Sequence, residues 1–570
     1  MKRKLGLLLA LLPAAILILC GTQPARAEYA DLPDSALGDE VRKAIAYGLM
    51  NGVSDTSFGY SEPMTRAQFV TVLDRMLFSD TDSAPSLDRM RLSGADADGV
   101  PLPDTLELPD GLSEIHRKAL SRAVAREVVE PSVPFRPNAP VTRGDMAELL
   151  VRALGLNDAA LSLSSNRVFK ADSEQISAPA AENPTPFLDL SAGAEGYAVI
   201  AYTIGMTKGL SETSFGPDAT ATRAQAAAML TRVYERLQRE TDFRHLFYTA
   251  AYPAFRPPAD VVSVEWSRMT WANSSAVLST KAGVSEERFL PPDYEKIVDD
   301  VTADGAKLYL SVFMDASGGV EKLLASQDGR EEAVAQILAE LTVPYSALGR
   351  NPYDGVTVDF QGLHREQQSL FTQFLSELRD ALSPTGKGLY VCVAPYLPAG
   401  HWDDGYDYRA ISEIADKVIL TAFDYDADNL NHFLATEAYQ NEAPAPLSAV
   451  YLSLWKLSAA VPDSSRLALG VSLRPVAWEI GQNNGLLSGS PVSPDADALR
   501  QYLQLPGTEK GWSVQYQMPY AAYTTRQGSR YFAWYENERS ILEKTGIARL
   551  LGVTGISCSR ADANPLCAPW

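Results

Sequence analysis

Cysteine is scarce in this sequence: 570 residues contain only Cys20, Cys392, Cys558 and Cys567. So few exclude a scaffold built on disulfides. A Cys558–Cys567 pair stays open, and Cys392 reads as a small buried side chain. Histidine is scarce too, and none of His116, His245, His364, His401 and His432 stands at metal-ligand spacing. No metal or other cofactor is expected. Glycine-rich phosphate loops and nucleophile elbows are missing. Positive charge is in deficit, with 50 Lys and Arg against 71 Asp and Glu and a formal net charge of −21. A nucleic-acid partner, which needs a basic footprint, is therefore excluded. Long apolar runs are missing apart from Leu5 to Leu19, whose 15 residues fall short of the ~20 that span a membrane.

That run has a different use. Lys2, Arg3 and Lys4 precede it, and Ala25-Arg26-Ala27 follows as a cleavage site. Residues 1–27 therefore read as a signal peptide. Cys20 follows Leu19, where a lipid-attachment motif wants a small residue. The expected product is secreted, begins at Glu28 and has no membrane span.

Three segments repeat one pattern. They are Phe58-Gly59-Tyr60-Ser61-Glu62-Pro63-Met64-Thr65-Arg66, Phe135-Arg136-Pro137-Asn138-Ala139-Pro140-Val141-Thr142-Arg143 and Phe215-Gly216-Pro217-Asp218-Ala219-Thr220-Ala221-Thr222-Arg223. In each, Phe precedes Thr by seven residues. An amphipathic helix is expected before each segment, over 40–49, 114–128 and 197–208, with Gly52 and Gly209 as stops in the first and third. Thr should cap a second helix, over 66–76, 143–153 and 223–237. Two helices bury too little alone, so the units should pack together. The Ser-, Asp-, Ala- and Pro-rich stretches 80–110 and 157–186 read as loops.

The motif resembles the S-layer homology domain. The resemblance implies cell-surface localisation through non-covalent binding of an anionic secondary cell-wall polysaccharide. Arg66, Arg143 and Arg223 match the family's motif arginine, at a helix N-terminus that suits an anion. Gln68 and Gln225 stand where the motif prefers Glu, and Asp145 is a shorter acid. The expected units span 28–78, 111–156 and 186–240.

From residue 243 the texture changes. Eight short apolar runs, 245–252, 261–266, 307–314, 355–361, 390–396, 417–425, 467–474 and 553–560, alternate with helical stretches. The fold class expected is therefore multidomain: α-helical repeats, then a (β/α)8 TIM-type barrel over 243–570. Chemistry in such barrels sits at strand C-terminal ends. Those ends carry Trp266, Asp315, Asp359, Gln361, Tyr396, Asp424, Asp426, Arg474 and Arg560, a mixture of aromatic, acidic and polar groups that suits a sugar.

Asp354-Gly355-Val356-Thr357-Val358-Asp359-Phe360-Gln361 resembles the D-G-x-D-x-D-x-E strand of glycoside hydrolase family eighteen. Val418 to Asp426 resembles its M-x-Y-D strand, and Arg530 to Ser540 the approach to its last strand. The resemblance implies a chitinase-like barrel acting on GlcNAc-containing glycan by substrate assistance. Asp359 matches the residue that orients the acetamido group, and Asp424 the acid of the second block. Gln361 occupies the place of the catalytic Glu, Phe423 that of a Tyr, and Thr357 that of an inner Asp. Thr357, Trp266, Tyr396, Asp426, Arg474 and Arg560 are the expected sugar contacts. A carboxamide has no acidic proton to give a leaving oxygen. Three readings remain: a wall-anchored barrel that binds peptidoglycan or a chitin-like glycan without efficient hydrolysis, a working N-acetylglucosaminidase, and a structural surface-layer component.

Overall fold

The computed structural model describes residues 29–78, 102–164, 186–191, 193–249, 257–283, 285, 288–395 and 404–561. The expected signal peptide, Tyr396, His401 and Cys567 lie outside the described residues.

The N-terminal half is helical: α1 (Ala36–Ala46), α2 (Arg66–Leu77), α3 (Glu114–Ala125), α4 (Arg143–Ala153), α5 (Asn157–Ser164), α6 (Glu195–Thr203) and α7 (Arg223–Leu237). Thr65, Thr142 and Thr222 cap α2, α4 and α7. Each hydroxyl accepts the backbone N–H three residues on, and Gln68, Asp145 and Gln225 bond back to the threonine N–H. The exchange satisfies two otherwise orphaned donors. The preceding helices stop sooner than expected, where Gly48 and Gly205 turn left-handed at φ 69° and 76°, four residues before Gly52 and Gly209. The stretch from Asn157, expected as loop, begins with helix α5. Its Ala159 and Ala160 are fully buried, and a Cβ on Gly196 of α6 would fall 1.8 Å from the Ala160 carbonyl oxygen. The missing side chain is what lets α5 and α6 touch.

The three units close into a ring. Met64 N–H donates to the Ala221 carbonyl (3.1 Å), Val141 to Met64 (2.8 Å) and Ala221 to Val141 (3.1 Å). Phe58, Phe135 and Phe215 are buried beneath these contacts. Asp31 and Asp189 brace two of the three loops, accepting the N–H of Phe58 and of Phe215 at 2.7 Å each.

The C-terminal half is a closed, all-parallel barrel of eight strands: β1 (Phe243–Tyr248), β2 (Val261–Ala272), β3 (Lys307–Met314), β4 (Gly355–Phe360), β5 (Gly388–Val393), β6 (Lys417–Thr421), β7 (Leu467–Ser472) and β8 (Gly555–Ser559). β1 pairs with both β2 and β8, which leaves no edge. Each expected apolar run overlaps one of these strands, but β1 and β5 start two residues earlier than expected and β2 runs six residues further. Phe243, Tyr309 and Tyr390 close the N-terminal end, with Gly388 leaving room for Tyr309: a Cβ there would lie 2.0 Å from its hydroxyl. Above this floor runs a buried polar chain. His245 hydrogen-bonds with Ser557 through Nδ1 and with Ser263 through Nε2, and Ser263 with Thr357, all at 2.7 Å. Between β7 and β8 the chain builds a four-stranded antiparallel sheet from Val476–Ile480, Glu509–Ser513, Met518–Thr524 and Arg530–Trp534, which the sequence reading did not anticipate.

The halves share one apolar core. Leu447, Tyr451 and Leu452, from helix Leu447–Ala460, and Ile547 and Leu550, from helix Glu538–Leu550, pack among the residues of the repeat units. Thr203 and Tyr451 share a hydroxyl hydrogen bond of 2.8 Å, and Arg236 donates to the Leu550 carbonyl at 2.8 Å.

Candidate functional site

The C-terminal mouth of the barrel gathers most of the expected barrel residues. Asp359 ends the inward-facing row of β4 and is 8% exposed, while Gln361 stands beyond it in solvent. The Gln361 backbone N–H is held by the Met314 carbonyl at 2.8 Å, and its Nε2 donates to both carboxylate oxygens of Asp359 at 3.1 and 3.3 Å. Burial pushes the Asp359 carboxyl above its usual range. Gln361 and the charge of Arg288 oppose that shift, and Asp424 adds to it.

After β6 the backbone turns left-handed at Asp424, φ 60°. That turn presents Asp424 and Asp426 to one cation: Arg474 Nη2 reaches Asp424 at 2.7 Å and Asp426 at 3.1 Å. Asp426 is buried enough to raise its pKa to about 6 despite the guanidinium. Phe423 is half-buried and lies against β7: a Cβ on Gly470 would come 3.3 Å from its ring. The neighbouring Tyr425 supplies no hydroxyl in its place, because it is turned outward onto Ser453 at 2.9 Å. Arg560 sits at the end of β8 at φ 56°, partly exposed.

Two expected sugar contacts are elsewhere. Trp266 is fully buried in the helix layer against Tyr294 and Tyr353. The register of β2 shifts between Val264 and Ser267, so strand position alone misplaced it. Thr357 is fully buried one layer below Asp359, bonded to Ser263, and supports the mouth rather than lining it. The sequence reading missed Glu265 and Arg288, an ion pair at 3.5 Å, and Phe313, which lies 3.7 Å beneath the Arg288 guanidinium. Glu265 was legible, two residues beyond inward-facing Ser263; Arg288 carried no pattern.

The motif arginines join one unit to the next. Arg143 donates to the Phe215 carbonyl (2.8 Å) and to Thr207 (2.7 Å); Arg223 donates to the carbonyls of Phe58 (3.0 Å) and Asn51 (2.7 Å). Arg66 lies over the Phe135 ring and pairs with Asp145 at 2.5 Å. Arg143 is enclosed, at 7% exposure, so the expectation of a polysaccharide contact there gives way to a structural joint. Arg223, equally buried, still borders a cleft of about 270 Å³ with Asn51, Gln68 and His116.

Residues 280–562 match the family Glycosyl hydrolases family 18, and residues 28–70 and 112–147 match the S-layer homology domain. The barrel is a family 18 glycosyl hydrolase domain. The repeat match covers the first two units; the third carries the same capping box, buried Phe and arginine joint. Two relatives from Bacillus subtilis (strain 168) are similar over part of the chain. YdhD, which carries the name of a sporulation-specific glycosylase, is 27% identical over 230 residues, covering 40% of this chain and 51% of that protein. The cortical fragment-lytic enzyme is 26% identical over 217 residues, covering 36% and 46%. The chain thus spans about half the length of the curated relatives it matches. The crystal structure of the Bacillus cereus spore cortex-lytic enzyme SleL is 17% identical, with 58% of this chain and 73% of that chain covered and a TM-score of 0.43. Among the described residues no helix is long and apolar enough to cross a membrane, and no group of three metal-ligating side chains forms.

Proposed function

We propose that the protein is exported and held at the cell wall by its S-layer homology units, and that its family 18 barrel binds GlcNAc-containing glycan there without efficient hydrolysis. One observation carries the second half of this reading: the side chain at the acid position is a carboxamide whose N–H group points at Asp359. In substrate-assisted cleavage that position must hand a proton to the leaving oxygen while Asp359 orients the acetamido group. Gln361 can hold a sugar oxygen by hydrogen bonding but cannot release a proton to it. Losing a general acid costs roughly 10²–10⁴ in rate. Phe423 removes a hydroxyl from the same step, and Asp359, Asp424, Asp426 and Arg474 keep the mouth polar.

A second reading is an active glycosidase, favoured by Asp426. Its carboxyl titrates at about 6, suited to an acid near neutrality, yet it is tied to Arg474. The experiment is chitooligosaccharide binding and turnover by the whole chain. Binding without release of reducing ends supports the proposal. Turnover that survives Gln361→Ala and is lost in Asp426→Asn would establish the second reading instead. For the anchor, the chain should sediment with purified walls and lose that property when their secondary polysaccharide is stripped.

A further inference from the structure

We infer that the sugar seated over Asp359 carries a free ammonium group in place of an acetamido group, so that the barrel's ligand is a partly N-deacetylated, glucosamine-containing glycan read by Asp359 and Asp424. That a glycan occupies the mouth rests on the reading above; the chemistry added here is that of its amino group. An acetamido group has two polar ends. Its N–H needs an acceptor, and its carbonyl oxygen needs a donor. Asp359 supplies the acceptor. A tyrosine hydroxyl would supply the donor, and Phe423 has none. Tyr425 is turned away onto Ser453, and the Gln361 amide is spent on Asp359. An acetyl oxygen brought to this position gives up water and finds none of these groups in exchange, which disfavours it. An ammonium group has donors only and leaves no acceptor to satisfy.

Acceptors, by contrast, are in surplus. Asp359 is 8% exposed, yet among the described residues it has no ion pair, and the side chain hydrogen-bonded to it is a neutral amide. Asp424 is near enough for its charge to push the Asp359 carboxyl further up, in the direction burial already takes it. Asp424 is itself exposed, and it shares the Arg474 guanidinium with Asp426. Arg288, whose charge also reaches Asp359, is committed to Glu265, and Arg268 is committed to Asp315 at 2.9 Å. These guanidiniums are matched; the Asp359 carboxylate is not. A small cation at the sugar nitrogen would relieve the repulsion between Asp359 and Asp424 and give Asp359 a charge-assisted hydrogen bond that it lacks. The missing acid fits the same ligand. Cleavage by substrate assistance requires the acetyl oxygen as nucleophile, and a barrel with Gln361 in the acid position is released from that requirement.

The test is calorimetric titration of the whole chain with chitotetraose, its fully deacetylated glucosamine tetramer, cellotetraose and tetralysine, at about 20 mM and about 200 mM salt. The glucosamine tetramer should bind about tenfold or more tighter than chitotetraose and cellotetraose at low salt, and should lose part of that margin at high salt. Tetralysine, which brings comparable charge without the sugar, should bind no better than chitotetraose. Asp359→Asn keeps the shape and an oxygen that accepts an amide N–H, so it should remove the margin and leave chitotetraose binding largely unchanged. Asp424→Asn, at an exposed position, should reduce the margin too, and Glu114→Gln on exposed α3 should leave it as it was. Phe423→Tyr should narrow it from the other side, by tightening chitotetraose. A margin that survives both Asp359→Asn and Asp424→Asn, or tetralysine that matches the glucosamine tetramer, overturns the inference. If chitotetraose binds as tightly as the glucosamine tetramer or more so, the inference fails and the glycan reading stands. If no tetrasaccharide binds, the glycan reading fails and the inference with it.

Discussion

Gln361 spans both oxygens of the Asp359 carboxylate with a single amide nitrogen, at 3.1 and 3.3 Å. Replacing that amide by an acid changes the pair's physics. Gln361→Glu would set a second carboxyl against one already raised by burial, and two adjacent carboxylates cannot both ionise, so one keeps a proton. The original protein should show no turnover of fluorogenic chitobioside above background. Gln361→Glu should produce measurable turnover, and Phe423→Tyr added to it should increase the rate further. The two gains should not be additive, because both act on one step. A double variant that binds chitooligosaccharide but stays silent would show that the site has diverged beyond these two positions.

His245 should make the barrel acid-sensitive. It is fully enclosed between Ser557 and Ser263, and burial pushes its pKa down to about 3. The unfolded imidazole titrates near 6.5. Below pH 6.5 the unfolded chain takes up a proton that the folded barrel refuses, so stability is lost as pH falls from 6.5 toward 3. The loss is ~1.4 kcal/mol per unit, about 2 kcal/mol between pH 6.5 and 5. Asp359 and Asp426, whose carboxyls are raised, act in the opposite sense. Denaturant unfolding at pH 7 and 5 therefore needs His245→Gln alongside, which should remove this part of the slope; an unchanged slope would exclude His245 as its source.

Lys544 and Glu536 form an ion pair at 2.8 Å with side chains only 1% and 2% exposed. Removing one charge strands the other. Lys544→Met should lower stability by ~3–5 kcal/mol, and Glu536→Gln added to it should recover a substantial part. Calorimetry of the two variants decides this; a double variant no better than the single would mean the pair matters for packing rather than charge.

Much of this architecture was legible. A seven-residue step from Phe to Thr marks each cap because a threonine hydroxyl before a helix has one dominant use. Lys307 to Met314 could be read to the residue because a buried parallel strand is apolar throughout. The failures share a cause: they depend on long-range geometry. Trp266 was misplaced because a register shift in β2 depends on its neighbours. The antiparallel sheet before β8 was missed because its strands are only five to seven residues long and pair mainly with one another. Arg143 was taken for a ligand contact because sequence shows a cation at a helix start, not the Phe215 carbonyl from the next unit that receives it.

Leu550 belongs to the barrel yet is fully buried in the core of the repeat units. The whole chain should therefore melt in one cooperative transition by calorimetry. Leu550→Ala should lower that single transition by an amount corresponding to ~2–5 kcal/mol. Two separate transitions, with only one of them moved, would show that the halves fold independently.

An enzyme on a flexible tether searches whatever volume its linker can sweep. The Thr203–Tyr451 and Arg236–Leu550 contacts allow no such sweep, so the grip of the units also sets the direction in which the barrel mouth faces. Helix Leu447–Ala460 bears Tyr451 at this seam and, two residues on, Ser453, which holds Tyr425 between Asp424 and Asp426. On the anchoring proposed above, a single packed helix thus joins the gripping units to the acidic side of the mouth.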